Sequence, residues 1–354
     1  GYQIETDAVQ RLLRLAEFYV PKEYGEIVLT ASESGAYTHA THYRRRDANG
    51  FAEARFGDPI APVDPPFETA YQYPNLILSA NLGVRPYIFD PDDPLRLGVF
   101  ARFSADLQLE DEWLLRGSWI QNIYNDFDGI TRESNSVLPR VRSDLAEYLK
   151  QGETGIDYLF AEKRGTVRDG VFYHAFAGYL EEMYAGAGAE VLWRPFGSRF
   201  AVGANAIAVR QRDFDRGFGF RDYDTVIGHL SAYWASPIYE MDVIVHAGRY
   251  LARDWGTTIE VQRTFPNGWS VGAFATFTDV SAREFGEGSF DKGITLRIPV
   301  ASFLELNTGS RFDTRIRPIQ RDGGQRLGFG STLWEMHRST HVDDLTATRA
   351  RLWP

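Results

Sequence analysis

The stretch LGVFARFSADLQL, residues 97–109, decides how this chain is read. Leu97, Val99, Ala101, Phe103, Ala105, Leu107 and Leu109 alternate with Gly98, Phe100, Arg102, Ser104, Asp106 and Gln108. Successive side chains of a strand point to opposite faces, so this segment has one oily face and one mainly polar face. It is also long. Ordinary strands run about 5–6 residues, whereas a tilted strand crossing a bilayer needs about 9–11.

The same period returns on both sides of it. In 76–89, Leu76, Leu78, Ala80, Leu82 and Val84 oppose Ser79, Asn81, Gly83 and Arg85. Segments 200–210, 225–235 and 269–278 alternate likewise, with His229, Ser231 and Tyr233 on the wetter face of the second. Adding 113–122, 155–164, 171–180, 185–194, 241–251, 256–263, 290–298, 306–317 and 325–337 predicts about fourteen strands.

Composition limits what these strands can build. The chain has 354 residues, 38 Lys+Arg against 48 Asp+Glu, and a net charge of -10, which disfavours nucleic acid as a partner. With 8 Trp, 18 Tyr, 24 Phe and 33 Gly, it is too aromatic to be disordered. Cysteine is absent, which excludes zinc-thiolate sites, disulfides and thiol nucleophiles. No apolar run reaches the roughly 18 residues of a membrane helix. A mean hydropathy of -0.32 is ordinary, yet it fits a membrane barrel, whose inward residues are polar. No charged-then-apolar signal segment opens the sequence, so the chain is expected to be processed or a piece of something longer.

A soluble sandwich would also alternate. Three features favour a barrel. Gly and Ala are frequent on both faces, and Tyr87, Trp113, Trp119, Trp193, Trp234, Tyr250, Trp269 and Trp334 fall near strand ends, where an interfacial girdle belongs. The joints also alternate short and long, as short periplasmic turns and long external loops do. The sequence therefore predicts a mainly β fold: a transmembrane antiparallel barrel over 75–338 with a C-terminal tail, 339–354. Ahead of it, 1–57 reads as a small periplasmic α/β domain. A helix through Val9, Leu12, Leu13, Leu15, Ala16 and Tyr19, capped by Thr6-Asp7, precedes strands at 26–32 and 36–44. Residues 58–74, with prolines at 59, 62, 65, 66 and 74, read as a linker.

Nothing demands catalysis. His39 and His42 would point to opposite faces of one strand and read as a solvated pair. His229 and His246 fall on the inner face of neighbouring strands as a polar pair. Glu181-Glu182 reads as solvated charge at a hairpin tip. Asp213, Asp215, Asp222 and Asp224 read as pairing with Arg210, Arg212, Arg216 and Arg221 in an external loop. The glycines at 286, 288 and 293 lack phosphate-loop spacing. No cofactor or metal is expected, and the chain reads as a non-enzyme.

Segments 186–195 (GAGAEVLWRP), 211–214 (QRDF), 228–234 (GHLSAYW) and 248–254 (GRYLARD) are followed by 265–269 (FPNGW), 272–279 (GAFATFTD), 285–293 (FGEGSFDKG) and 321–325 (RDGGQ). In this order they resemble the YjbH/GfcD-type exopolysaccharide proteins of Gram-negative outer membranes. The resemblance implies an outer-membrane β-barrel serving exopolysaccharide export, with a periplasmic OPX-type (Wza-like) protein as partner. It implies no catalytic residues. Family members carry another barrel-like region ahead of the one seen here.

On that basis Arg85, Arg102, Asp106, Glu190, Arg194, Tyr233, Tyr250, Glu260 and Phe274 are the expected inward-facing residues along a substrate path for the exopolysaccharide chain, with outer-membrane lipid on the other face. Aromatic rings stack on sugars, and Arg, Asp and Glu hydrogen-bond their hydroxyls. The alternatives are a plugged barrel that anchors an export complex, suited by the i to i+4 pairs Arg102/Asp106 and Glu190/Arg194, and a soluble polysaccharide-active β-enzyme.

Overall fold

The structure, a computed structural model, describes residues 5–352 apart from 34, 46–52, 61–71, 89–92, 132–134, 266, 287–288, 300–310, 319–320 and 331. Helix α1 (Glu5–Tyr19) buries Val9 and Leu13 against a three-stranded sheet of β1 (Glu26–Glu33), β2 (Ala36–Arg44) and β3 (Glu53–Gly57). Two details differ from the sequence reading. Thr6 and Asp7 lie inside the helix, and β3, five residues long, was too short to show a period. Most of the proline-rich 58–74 segment lies outside the described residues.

The main sheet holds thirteen strands: β4 (Asn75–Ile88), β5 (Leu95–Gln108), β6 (Trp113–Asn125), β7 (Gly155–Arg168), β8 (Val171–Tyr179), β9 (Tyr184–Trp193), β10 (Phe200–Arg212), β11 (Phe220–Ala235), β12 (Met241–Arg249), β13 (Trp255–Thr264), β14 (Ser270–Thr278), β15 (Asp291–Pro299) and β16 (Arg311–Ile316). Each pairs antiparallel with its sequence neighbours, so the sheet is one continuous meander. The edges are β4 and β16, which do not pair with each other among the described residues. One end carries short turns such as 169–170 and 236–240, called the turn end below; the other carries 126–154, 213–219 and 279–290 and is called the loop end. The predicted strand at 325–337 is not one. It is a turn and coil followed by α4 (Leu333–His337), after α2 (Leu145–Gln151) and α3 (Ala282–Phe285) and before α5 (Val342–Ala347).

Alternation sorts this sheet the opposite way from a water-soluble one. Outward positions expose Leu78 (70%), Leu82 (78%) and Leu230 (69%), and Val202, Ile259, Val271, Ile294 and Phe312 continue the band from strand to strand. Inward positions bury Glu162, His174, Glu190, His229, Ser231 and His246. A contiguous apolar surface of this extent is unusual for a protein in water.

The sheet curls around residues 321–352, which run along its inner face as a strap. Asp322 starts it at the loop end, taking the amides of Arg142 and Ser143 at 2.8 and 2.9 Å. Phe329 then packs between Phe160 and Phe176. Next, α4 touches Arg164 of β7 through Met336, Glu190 of β9 through the Leu333 amide, Tyr233 of β11 through Trp334 and Arg297 of β15 through Glu335. In a flat sheet β7 and β15 would stand about 38 Å apart at ~4.8 Å per strand, yet this helix is only about 7.5 Å long. The wall therefore bends round it. At the turn end Arg338 binds Asp242 at 2.5 Å, and Leu352 completes the α1 core.

Local chemistry makes α4 a helix. Thr332 Oγ1 accepts the Glu335 amide at 3.3 Å, and Glu335 returns the bond to the Thr332 amide at 3.0 Å, a full capping box. The girdle expectation fails at three residues: Trp334 belongs to the strap, Tyr250 is fully buried in the β12–β13 turn, and Tyr87 packs inward against Phe127, Ile130 and Leu149.

Trp334→Ala removes a ring stacked on Tyr233 and is expected to cost about 3–5 kcal/mol; Thr332→Ala removes a cap and costs about 1 kcal/mol. Denaturant titration in detergent, read by proteolytic protection of 321–352, checks both, with β-sheet circular dichroism unchanged at zero denaturant.

Candidate functional site

The inner face divides into a covered part and an uncovered part. The covered part spans β8 to β15. Glu190 accepts the Leu333 amide at 3.0 Å, Tyr233 stacks on Trp334 at 4.5 Å, and Glu260 pairs with Arg326 of the strap and with Arg315 at 3.6 Å. Arg194, just past β9, donates to the His337 carbonyl. Tyr250 bonds Thr258 at 2.7 Å, and Phe274 lies beneath Arg315 and Arg317. The i to i+4 pair Glu190/Arg194 does not form, because each residue binds the strap.

The part that no described strap residue covers lies on β4 to β6 and on Asp157 of β7. Phe100 rests over Gly83, its cross-strand partner, where an added Cβ would come within 2.4 Å of the ring. The Arg85 and Arg102 guanidinium carbons stand 5.6 and 5.3 Å from its centroid. Arg85 pairs with Glu182 at 3.1 Å and Arg102 with Asp157 at 3.0 Å. Asp106 takes a two-pronged contact from its cross-strand neighbour Arg116 at 3.1 and 3.3 Å, rather than from Arg102. Asp157 reaches this face because of a bulge: Ser118 pairs with Tyr158 and Trp119 with Ile156, leaving Asp157 as the extra residue.

The loop end corrects two readings. Glu181 and Glu182 are not solvated: Glu181 binds Arg142 at 2.5 Å, and Glu182 faces both Arg85 and Arg216. Burial works to raise the Glu182 carboxyl, but Arg85, Arg216, Arg142 and Arg212 outweigh it and hold it at about 2. Arg212 and Arg216 also leave the external aspartates. Arg212 donates to the carbonyls of Ile156, Asp157, Glu181 and Arg216, which closes this end below the 126–154 loop. In the N-terminal unit, His39 is buried beside Phe56 rather than solvated, while His42 meets Glu26 at 3.3 Å.

His229 and His246 stand 6.5 Å apart, and Ser231 Oγ lies 2.7 Å from His246 Nδ1. Glu260 is 3.8 Å from the other imidazole nitrogen and is engaged by two arginines, so this row lacks the hydrogen-bonded acid that would orient the base of a hydrolytic nucleophile. Sequence reasoning missed Arg116, Asp157, Arg142 and every strap residue. The Thr332–Glu335 capping spacing signals the strap; no local pattern signals the bulge at Asp157.

At the turn end, His341 caps α5 by accepting the Asp343 amide at 3.2 Å on Nδ1, with Nε2 2.7 Å from the Ser198 carbonyl. Burial first, then Arg194 and Arg338, lowers its pKa to about 4, against partial opposition from the Ser198 bond and Asp343.

A match to known proteins accompanies this geometry. A family model described as Exopolysaccharide biosynthesis protein YbjH matches residues 1–339. "Uncharacterized lipoprotein YjbH" of Escherichia coli (strain K12) is 41% identical over 256 residues, covering 70% of this chain and 36% of that relative. The chain thus spans just over a third of the length of the curated relative it matches.

The turn end of the strap should weaken in acid. For His341 the released form titrates near 6.5, above its docked value of about 4. Docking is therefore flat above pH 6.5 and weakens as pH falls toward 4. Glu182, depressed to about 2, ties Arg85 of β4 to Arg216 of the 213–219 loop, and that contact, separate from the strap, weakens over a lower window, from about 4.3 downward. Limited proteolysis of 331–345 between pH 8 and pH 4 should show rising cleavage below 6.5, and His341→Asn, which keeps a capping acceptor, should flatten that rise.

Proposed function

The chain belongs to the YjbH exopolysaccharide biosynthesis family, and from that premise we propose that its thirteen-strand sheet forms the wall of an outer-membrane β-barrel serving polysaccharide export. The observation that carries the reading is the inverted sorting of the sheet, with Leu78, Leu82 and Leu230 outward and Glu190, His229 and Glu260 inward. Lipid chains are the environment in which such an outer face is at lowest free energy. Six of the strands run 13–16 residues, enough for tilted crossings.

In this reading the α1–β3 unit lies in the periplasm, beside the turn end. The β1–β2 hairpin touches the wall there through the Tyr37 amide and Thr166 Oγ1 at 3.0 Å. It offers a docking face to a periplasmic OPX-type (Wza-like) export protein. The polymer passes along the uncovered inner face without being cleaved, so the protein acts as a conduit rather than an enzyme.

A second reading is favoured by the strap: while residues 321–352 stay docked, the barrel is an anchor more than a pore. The two readings differ in conductance. In planar bilayers the wild-type chain should give small currents, and Trp334→Ala should enlarge them several-fold. Silence from both would contradict the conduit and leave the anchor. On the outer face, Leu230→Arg should cost about 2–4 kcal/mol of stability in lipid if the residue sits near the midplane, read by urea unfolding from vesicles; no cost would contradict the lipid-facing assignment.

A further inference from the structure

We infer that the strip on β4 to β6, edged by Asp157 of β7, is a binding site for a neutral, hydroxyl-rich glycan segment rather than for a polyanion. This rests on the conduit reading above and adds the substrate class. The strip starts at Phe100 between Arg85 and Arg102, near the loop end. It continues along β5 through Ser104 to Asp106 and Gln108, with Arg116 of β6 across from Asp106, toward the turn end. Inward residues of β5 recur about every 6.8 Å, so the positions from 100 to 108 line about 27 Å, close to the thickness of a bilayer's hydrocarbon core.

Three observations set the ligand class. First, these side chains are within reach of a ligand. Arg102 keeps 39% of its side-chain surface and Arg116 32%, whereas Glu190 beneath the strap keeps 7% of its residue surface. Second, the strip is charge-paired: Arg85 with Glu182 at 3.1 Å, Arg102 with Asp157 at 3.0 Å and Arg116 with Asp106 at 3.1 Å. Among the described residues each cation that the strip exposes is held by a carboxylate, while Arg216 and Arg212 beyond it at the loop end are buried, Arg212 on backbone carbonyls. A polyanion would meet no exposed unpaired cation along the strip.

Third, the pairing leaves donors and acceptors side by side. A guanidinium has five N–H donors and a carboxylate several lone-pair sites, so each ion pair still presents both kinds of group. A sugar hydroxyl, which donates and accepts at once, matches that alternation; a carboxylate or sulfate, which only accepts, does not. Ser104 and Ser118, with hydroxyls 3.2 Å apart, extend it midway. The Phe100 ring, lying over Gly83 with Arg85 and Arg102 beside it, supplies an apolar surface for the carbon-bound face of a pyranose.

The test uses the full chain folded in detergent micelles, with two probes: a neutral isomalto-oligosaccharide and an oligogalacturonate of equal length. Calorimetry should show binding of the neutral probe that changes less than two-fold between 50 and 500 mM salt, with the anionic probe at least ten-fold weaker. Ser104→Trp fills the strip without removing an ion pair and should abolish binding. Phe100→Leu should weaken it about ten-fold, with heat-modifiable gel mobility confirming that both variants fold. Tighter, steeply salt-dependent binding of the anionic probe would overturn the inference, as would neutral binding unaffected by Ser104→Trp or no binding of either probe. Detergent binding does not depend on conductance, so a silent barrel that still binds the neutral probe at this strip would sink the conduit and leave the site standing.

Discussion

Everything in this structure follows from one constraint: the wall turns its oily residues away from the molecule and its polar ones into it. Inward groups such as Glu190, Asp242 and Glu260 therefore need partners, because an unpaired buried charge is costly. The strap supplies them with the Leu333 amide, Arg338 and Arg326. In a soluble sandwich those positions would carry the apolar core. Here the interior interleaves these polar contacts with aromatic ones, such as Trp334 on Tyr233 and Phe329 on Phe176, and keeps an apolar cluster with Ile207, Ile227 and Leu251 toward the loop end.

The strap also joins parts of the chain that are distant in sequence. Asp322 fastens it to the 126–154 loop, and Arg349 and Leu352 fasten it to the N-terminal unit. A change in one of these attachments bears on the other through a continuous segment, so the loop end and the N-terminal unit are mechanically linked. The strip on β4 to β6 lies beside this linkage, its ion pairs closing within the wall and its loops, while the strap meets Phe160 and Arg164 on the next strand, β7. That separation allows a ligand to occupy the strip while the strap stays docked.

The strands were legible because period-two alternation over ten or more residues has few competing explanations. Thirteen of the predicted segments became neighbours in sequence order, and the inward positions of β10 and β11 match residue for residue. Segment 325–337 misled because it is aromatic and short of charge at its centre, like a strand. The Thr332–Glu335 cap, a local signal, outweighed that impression. Glu181 and Glu182 misled for another reason. A pair of acids at a hairpin tip looks solvated until the arginines of distant strands and loops, Arg85, Arg142 and Arg216, are brought over it. Pairings of this kind, and the bulge that turns Asp157 toward Arg102, arise from register and curvature, which a single segment does not encode.

The chain's lack of cysteine makes the sorting of its two faces directly measurable. Leu230→Cys and Ser104→Cys, each carrying an environment-sensitive fluorophore in lipid vesicles, report what touches each face. The account predicts that the label at 230 is quenched by spin-labelled acyl chains and untouched by aqueous iodide, with the reverse at 104. Iodide quenching at 230 without acyl-chain quenching would mean that water covers the outer face, and the membrane wall would be contradicted.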